Sequence, residues 1–156
     1  MRQPVPYFFS YTRADQEDIN RLLEVLRPVL ASSMKYEFRL WKDTAILPGE
    51  KWKEEIDEAL LKCRFGLLCV SPNFLTSGFI VKNELPVLLA KPLVVPVGLH
   101  KISFAGDMDL KGLAERQLFR DSKGRTFDGC RLKTGRRDFA LELNKQIHAL
   151  LEKYPC

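Results

Sequence analysis

The stretch Arg64-Phe65-Gly66-Leu67-Leu68-Cys69-Val70-Ser71-Pro72-Asn73 decides the fold. A strand with one wet face alternates apolar and polar residues. Residues 65–70 do not alternate, so the run predicts a strand covered on both faces, as in a parallel sheet. Ser71-Pro72-Asn73 supplies the turn chemistry that ends it.

Reading outward, the flanks alternate between helix and strand. Before the run, Trp52, Ile56, Ala59, Leu60 and Cys63 place one apolar face on a helix. After it, a short helical stretch passes through Phe79, Ile80 and Glu84 until Pro86 kinks or restarts it. Residues 93–97 read as a further strand. Toward the N-terminus, Tyr36-Glu37-Phe38-Arg39-Leu40-Trp41 alternates as a strand, and 42–49 is a loop ended by Pro48-Gly49. Ile19, Leu22, Leu23, Leu26, Val29 and Leu30 make a helix running to about Ala31, with Asp15 as its expected N-cap. Val5-Pro6-Tyr7-Phe8-Phe9-Ser10-Tyr11 reads as the first strand. Beyond residue 100 the chain is polar, with a weak strand expected at 129–132. A closing helix carries Phe139, Ala140, Leu143, Ile147, Leu150 and Leu151.

This alternation predicts an α/β domain with a central parallel sheet of four to five strands and helices on both faces. The flavodoxin-like order 2-1-3-4-5 fits best. Ligands then bind beyond the carboxyl ends of strands one and three, where the strand order reverses. Those ends are Ser10-Tyr11-Thr12-Arg13 and Ser71-Pro72-Asn73.

The chain has 156 residues, enough for one domain over 1–156, either complete or the N-terminal part of a longer multidomain protein. Hydrophobic residues are 46% and charged residues 29%, which excludes disorder and fibrous classes. The most apolar stretch, 85–99, is interrupted by Lys91 and three prolines, so no membrane span is expected. Residues 1–4 do not resemble a signal peptide, and a cytoplasmic location is expected. Cys63, Cys69, Cys130 and Cys156 form no C-x-x-C pair, so neither a metal site nor a disulfide framework is expected. The net charge is +5, and residues 111–137 alone carry nine basic and three acidic groups. That segment is a solvated surface, an attractor of phosphate groups, or a dock for an acidic face such as the one with Glu54, Glu55, Asp57 and Glu58. It has only Phe119 and Phe127 as aromatics, so nucleic acid is not expected as a partner.

Three chemistries fail at the reversal point. A phosphoacceptor receiver needs acids after strand one and an Asp ending strand three, where this chain has Ser10-Tyr11 and Val70-Ser71. A phosphate cradle needs glycine after strand one, and 10–15 contains none. A hydrolase triad needs a placed histidine, and His100 and His148 both read as surface groups. One carboxylate remains, Glu84, alone in an apolar segment beside Pro86.

Phe8-Phe9-Ser10-Tyr11 resembles the first box of Toll/interleukin-1 receptor (TIR) domains. Residues 41–52, Trp-Lys-Asp-Thr-Ala-Ile-Leu-Pro-Gly-Glu-Lys-Trp, resemble their second box, the BB loop, in its bacterial form. Residues 67–77 followed by Asn83-Glu84-Leu85 are similar to the third strand and the segment bearing the family's catalytic glutamate. Together these motifs cover about residues 5–98.

The resemblance implies the flavodoxin-like TIR fold and one of two functions. The first is an NAD⁺ glycohydrolase of the bacterial type, releasing nicotinamide and ADP-ribose or a cyclic isomer, as an effector of anti-phage defence. The alternative is a non-catalytic scaffold acting by homotypic assembly. It implies Glu84 as the catalytic carboxylate, with Ser10, Tyr11, Arg13, Asp43, Ser71 and Phe79 as candidate substrate contacts. Catalytic members often carry Trp four residues before the glutamate; here that place is Ile80, with Phe79 beside it. NAD⁺ is then substrate, with no further cofactor. Assembly is implied through the BB loop, 43–50, under an activating domain or partner outside this chain.

Overall fold

The computed structural model describes residues 1–41 and 52–155. Asp43 and the 43–50 stretch lie outside the described residues. Four parallel strands form one sheet in the order β2-β1-β3-β4: β1 Gln3–Ser10, β2 Tyr36–Trp41, β3 Phe65–Val70 and β4 Val94–Gly98. The helices are α1 Gln16–Ala31, α2 Trp52–Lys62, α3 Pro72–Leu75, α4 Leu85–Leu89 and α5 Lys133–Lys153. Among the described residues, no helix is long and apolar enough to cross a membrane.

All six residues of β3 are buried, as its unbroken apolar run requires. Along β1, parity divides the core. Tyr7 and Phe9 join one cluster with Leu22 and Leu26 of α1 and Phe139 and Leu143 of α5. Phe8 joins the other with Leu60 of α2, Phe74 of α3 and Leu88 of α4. The sheet is thus covered on both faces, and each fully buried Phe or Leu contributes about 1.5–3 kcal/mol.

Three prolines sit inside strands without breaking the ladder. The Pro6 carbonyl accepts from Arg64 N at 2.7 Å, on the side of β1 where β3 starts only opposite Tyr7. Pro6, and Pro4 at the same parity, therefore turn their missing donors to a side with no strand partner at their level. Pro96 lies on the edge strand β4, and its carbonyl accepts from Phe119 N at 2.7 Å.

That contact corrects the expected fifth strand. Residues 129–132 form no strand; a 3-10 turn Phe127–Gly129 leads to a loop and then α5. The outer edge of β4 is covered by Phe119, through an isolated bridge to Val97 and a bond from Gly98 N to the Phe119 carbonyl at 2.8 Å. Gly98 permits this approach: a Cβ there would sit 3.0 Å from the Phe119 carbonyl oxygen.

The segment after α3 departs from a simple kinked helix. Pro86 cannot donate to the carbonyl four residues back, and its ring crowds that carbonyl. The chain answers with a wide π turn, Ile80–Glu84, in which Leu85 N–H bonds to the Ile80 carbonyl five residues back. Such turns insert an extra residue and recur at functional sites. Here Ile80, Glu84, Leu85 and Leu88 all remain buried.

Candidate active site

The carboxyl ends of β1 and β3 lie where the strand order reverses, and the chain leaves them on separate paths. Ser10 closes β1 and is fully buried. It shares the parity of Phe8, so it faces the side covered by α2 and the π turn. Glu84 comes to this place from the last position of that turn, with 7% of its surface exposed. Burial pushes its carboxyl up from 4.5 to about 7, and the nearby Ser10 hydroxyl only partly offsets this. The Ser10 Oγ makes no full hydrogen bond of its own. The Ser10 hydroxyl is thus held only loosely, against a carboxyl whose ionisation is suppressed by burial.

The other residues distribute unevenly around this pair. Tyr11 packs edge-on against Phe9, with ring centroids 5.9 Å apart, toward the α1/α5 side of the sheet. Arg13 is exposed in the 3-10 turn Arg13–Asp15 that leaves β1. Phe79 is half-buried just before the π turn, against the cluster that holds Ile80. Its carbonyl accepts from Asn83 Nδ2 at 3.1 Å. Trp41, at the end of β2, stacks on Phe8 at 5.4 Å and extends an aromatic surface toward the same edge.

Ser71 belongs to a second polar group. Its Oγ caps α3 by accepting from Phe74 N at 3.0 Å, and donates to the Asp15 carboxylate. Asp15 also accepts from Asn73 Nδ2 at 3.0 Å. Asp15 holds the N-cap position of α1, as expected, but its side chain makes no cap bond there and is buried between the two strand ends. His100, just after β4, lies 2.6 Å from Asp18 and 3.7 Å from Asp15. Although burial alone would raise Asp18, its hydrogen bonds with His100 and Arg21 hold it below the usual carboxylate value. His148 is also engaged, bonding Ser33 Oγ at 2.9 Å and the Asn144 carbonyl at 2.9 Å. Neither histidine is the free surface group expected from sequence. Asp15, Asn73, Asp18 and His100 were missed as a group because their partners lie 58 and 82 residues apart. The only local signal was a polar Ser-x-Asn at the end of an apolar strand.

Outside this pair, a groove of about 510 Å³ runs along α3 and the π turn, from Leu75 and Gly78 past Val81 to Met108 and Lys111. Glu84 does not line it. Among the described residues no group of His, Cys, Asp and Glu is arranged to hold a metal ion.

A four-stranded parallel sheet in this order, with helices on both faces, defines a flavodoxin-like α/β domain. The TIR domain family model matches residues 8–131, and the chain belongs to that family. No curated protein matches it.

Proposed function

We propose that this TIR domain is an NAD⁺ glycohydrolase of the bacterial type, with Glu84 as its catalytic carboxylate. The observation that carries the reading is the buried Glu84 carboxyl facing the buried Ser10 hydroxyl at the strand-order reversal. TIR domains in general include both NAD⁺-cleaving enzymes and signalling modules that self-associate.

The chemistry needs one carboxylate. The bond between C1′ of the ribose and N1 of nicotinamide breaks, and its electron pair leaves with nicotinamide. The leaving group is neutral because the bound pyridinium was cationic, so no general acid is required, unlike in O-glycoside hydrolysis. Positive charge develops on the ribose, and a carboxylate within reach stabilises it. Water then adds at C1′ and loses its proton, giving ADP-ribose; attack by a group of the same molecule gives a cyclic isomer. A carboxyl held near 7 suits this role: the cationic substrate favours its ionised form, so binding itself completes the charge. Ser10 offers the ribose a hydroxyl that the folded chain holds only loosely, against Glu84. Arg13 is placed on the exposed turn after β1, where it can meet a pyrophosphate. Phe79, just before the turn that bears Glu84, and Ser71, engaged with Asp15, are the substrate's further proposed contacts, and Asp43 and residues 43–50, outside the described residues, complete the reading as residues brought in by assembly.

In this reading the protein is a cytoplasmic effector of anti-phage defence, switched on when an activating domain or partner clusters it. The test is incubation of concentrated protein with NAD⁺, following free nicotinamide, for wild type and Glu84→Gln. Release abolished by the substitution supports the enzyme. Assembly without any release, across the whole concentration range, identifies the scaffold.

A further inference from the structure

The wide turn at 80–84 has an internal brace. Helical spacing enters it normally, with Val81 N–H bonded to the Ser77 carbonyl, four residues back, at 3.0 Å. It leaves with Leu85 N–H bonded to the Ile80 carbonyl, five residues back. One extra residue is therefore taken up between 81 and 85. Asn83 lies in that interval, half-buried, and its side-chain Nδ2 donates to the Phe79 carbonyl at 3.1 Å. The side chain reaches back four residues, the span that a backbone N–H covers in an α-helix. The backbone beside it runs on the longer span.

The extra residue changes which side chains share a side. In an α-helix residues four apart line up; across a five-residue bond, residues five apart do. Phe79 and Glu84 are five apart. The Asn83 amide bonds the carbonyl of the first and is the chain neighbour of the second. Ile80, four before Glu84, is 3% exposed and committed to the core. Phe79 packs on the same cluster but keeps part of its surface exposed.

We propose that Asn83 is a positioning residue: its amide braces the wide turn, holding the Glu84 carboxyl against Ser10 and Phe79 on the same side, as a wall for a planar ring of the substrate. The inference rests on the reading of Glu84 as the carboxylate that serves NAD⁺ cleavage. Asn83 acts through Glu84 and Phe79, not on the substrate itself. Pro86 and Asn83 divide the task. Pro86 lacks the N–H that would bond the Lys82 carbonyl, so it opens the α-helical ladder. Asn83 then fixes the form that the opened segment takes. Stability alone would favour a stronger helix former at this place, because asparagine ranks low in helix interiors.

The experiment reads Glu84 without any substrate. The glutamate carboxyls of the full chain are labelled with carbon-13 and titrated by NMR, with the Glu84 signal assigned through Glu84→Gln. Wild type is compared with Asn83→Leu, which is of similar shape and donates nothing, and with Asn83→Asp, which replaces the donor by an acceptor. Burial holds the wild-type carboxyl at about 7, against an ordinary 4.5. Without the brace the turn relaxes toward α-helical spacing and water reaches the carboxyl. The Glu84 midpoint should then fall toward 4.5 in both variants. The kcat of nicotinamide release should drop about tenfold or more, and the midpoint of its pH profile should fall with the carboxyl. A merely structural role is told apart, because loss of folded protein lowers the amplitudes and leaves both midpoints in place. Circular dichroism checks the folded fraction. Glu84 midpoints unmoved in both variants overturn the proposal whatever happens to activity, as does a wild-type midpoint already at 4.5. Midpoints that fall as expected, in a protein that releases no nicotinamide, support the brace and overturn the NAD⁺ glycohydrolase reading instead.

Discussion

Asp15 and Ser71, 56 residues apart in the chain, share a buried hydrogen bond that ties the exit of β1 to the exit of β3. Ser71 uses that bond to donate and the Phe74 amide bond to accept, so one side chain fixes both the strand-order reversal and the start of α3. Asp15→Ala should leave Ser71 and Asn73 without their acceptor and cost about 2–4 kcal/mol of stability. Asp15→Asn keeps one acceptor oxygen and should cost less. Urea unfolding of the two variants gives the order; equal, negligible losses would remove Asp15 from the scaffold.

Glu84→Gln carries a stability signature besides the loss of turnover proposed for it. The folded carboxyl holds its proton more tightly than the unfolded one, so wild-type stability should fall as pH rises from 4.5 through about 7. Glutamine has no charge to bury. The variant should match wild type near pH 4 and exceed it above pH 7, by up to about 3 kcal/mol. Thermal unfolding across pH 4–9 measures the gap, and a gap independent of pH would contradict the burial of this carboxyl. NAD⁺ cleavage by wild type should rise with pH across the same range.

Ser10→Ala separates folding from binding. The hydroxyl's one partner in the folded chain is the Glu84 carboxyl, and loosely so, and its removal should change stability by less than about 1 kcal/mol. If Ser10 holds a ribose hydroxyl, nicotinamide release should fall roughly tenfold. A large loss of stability would show instead that the hydroxyl serves the core.

His100→Ala tests the link between β4 and α1. Asp18 is held below its ordinary value of 3.8 by hydrogen bonds with His100 and Arg21, against the effect of burial. A carboxyl depressed in this way contributes stability above its unfolded value and loses it as pH falls through the folded one. The variant should be less stable than wild type at neutral pH. That difference should shrink below pH 3.8, as measured by acid titration of the fluorescence of Trp41 and Trp52.

Pro86→Ala should relieve the wide turn. A restored amide at 86 allows bonding to the carbonyl of residue 82, and the segment can rewind as α-helix. Stability should hold or rise while NAD⁺ cleavage drops, because Glu84 would swing away from Ser10. Unchanged turnover would show that the turn does not place the carboxyl.

The sequence by itself determined the layers of this protein. An unbroken apolar run at 65–70 can be stable only with both faces covered, and the helical spacing in 19–30 and 139–151 names the faces that cover one side. It also isolated Glu84, because one acid in an apolar segment next to Pro86 has a local signature. Only the tertiary structure decided what those groups meet. The edge of β4 went to Phe119, not to 129–132, because the Gly98 and Pro96 backbone groups needed partners that only folding could bring near. Asp15 was legible as the N-cap of α1, but its side chain turned instead to Ser71 and Asn73, which arrive from the end of another strand. Backbone periodicity is written within a few residues of chain and can be read there; a hydrogen bond across 56 or 82 residues is set by the register of the sheet, which no local pattern encodes.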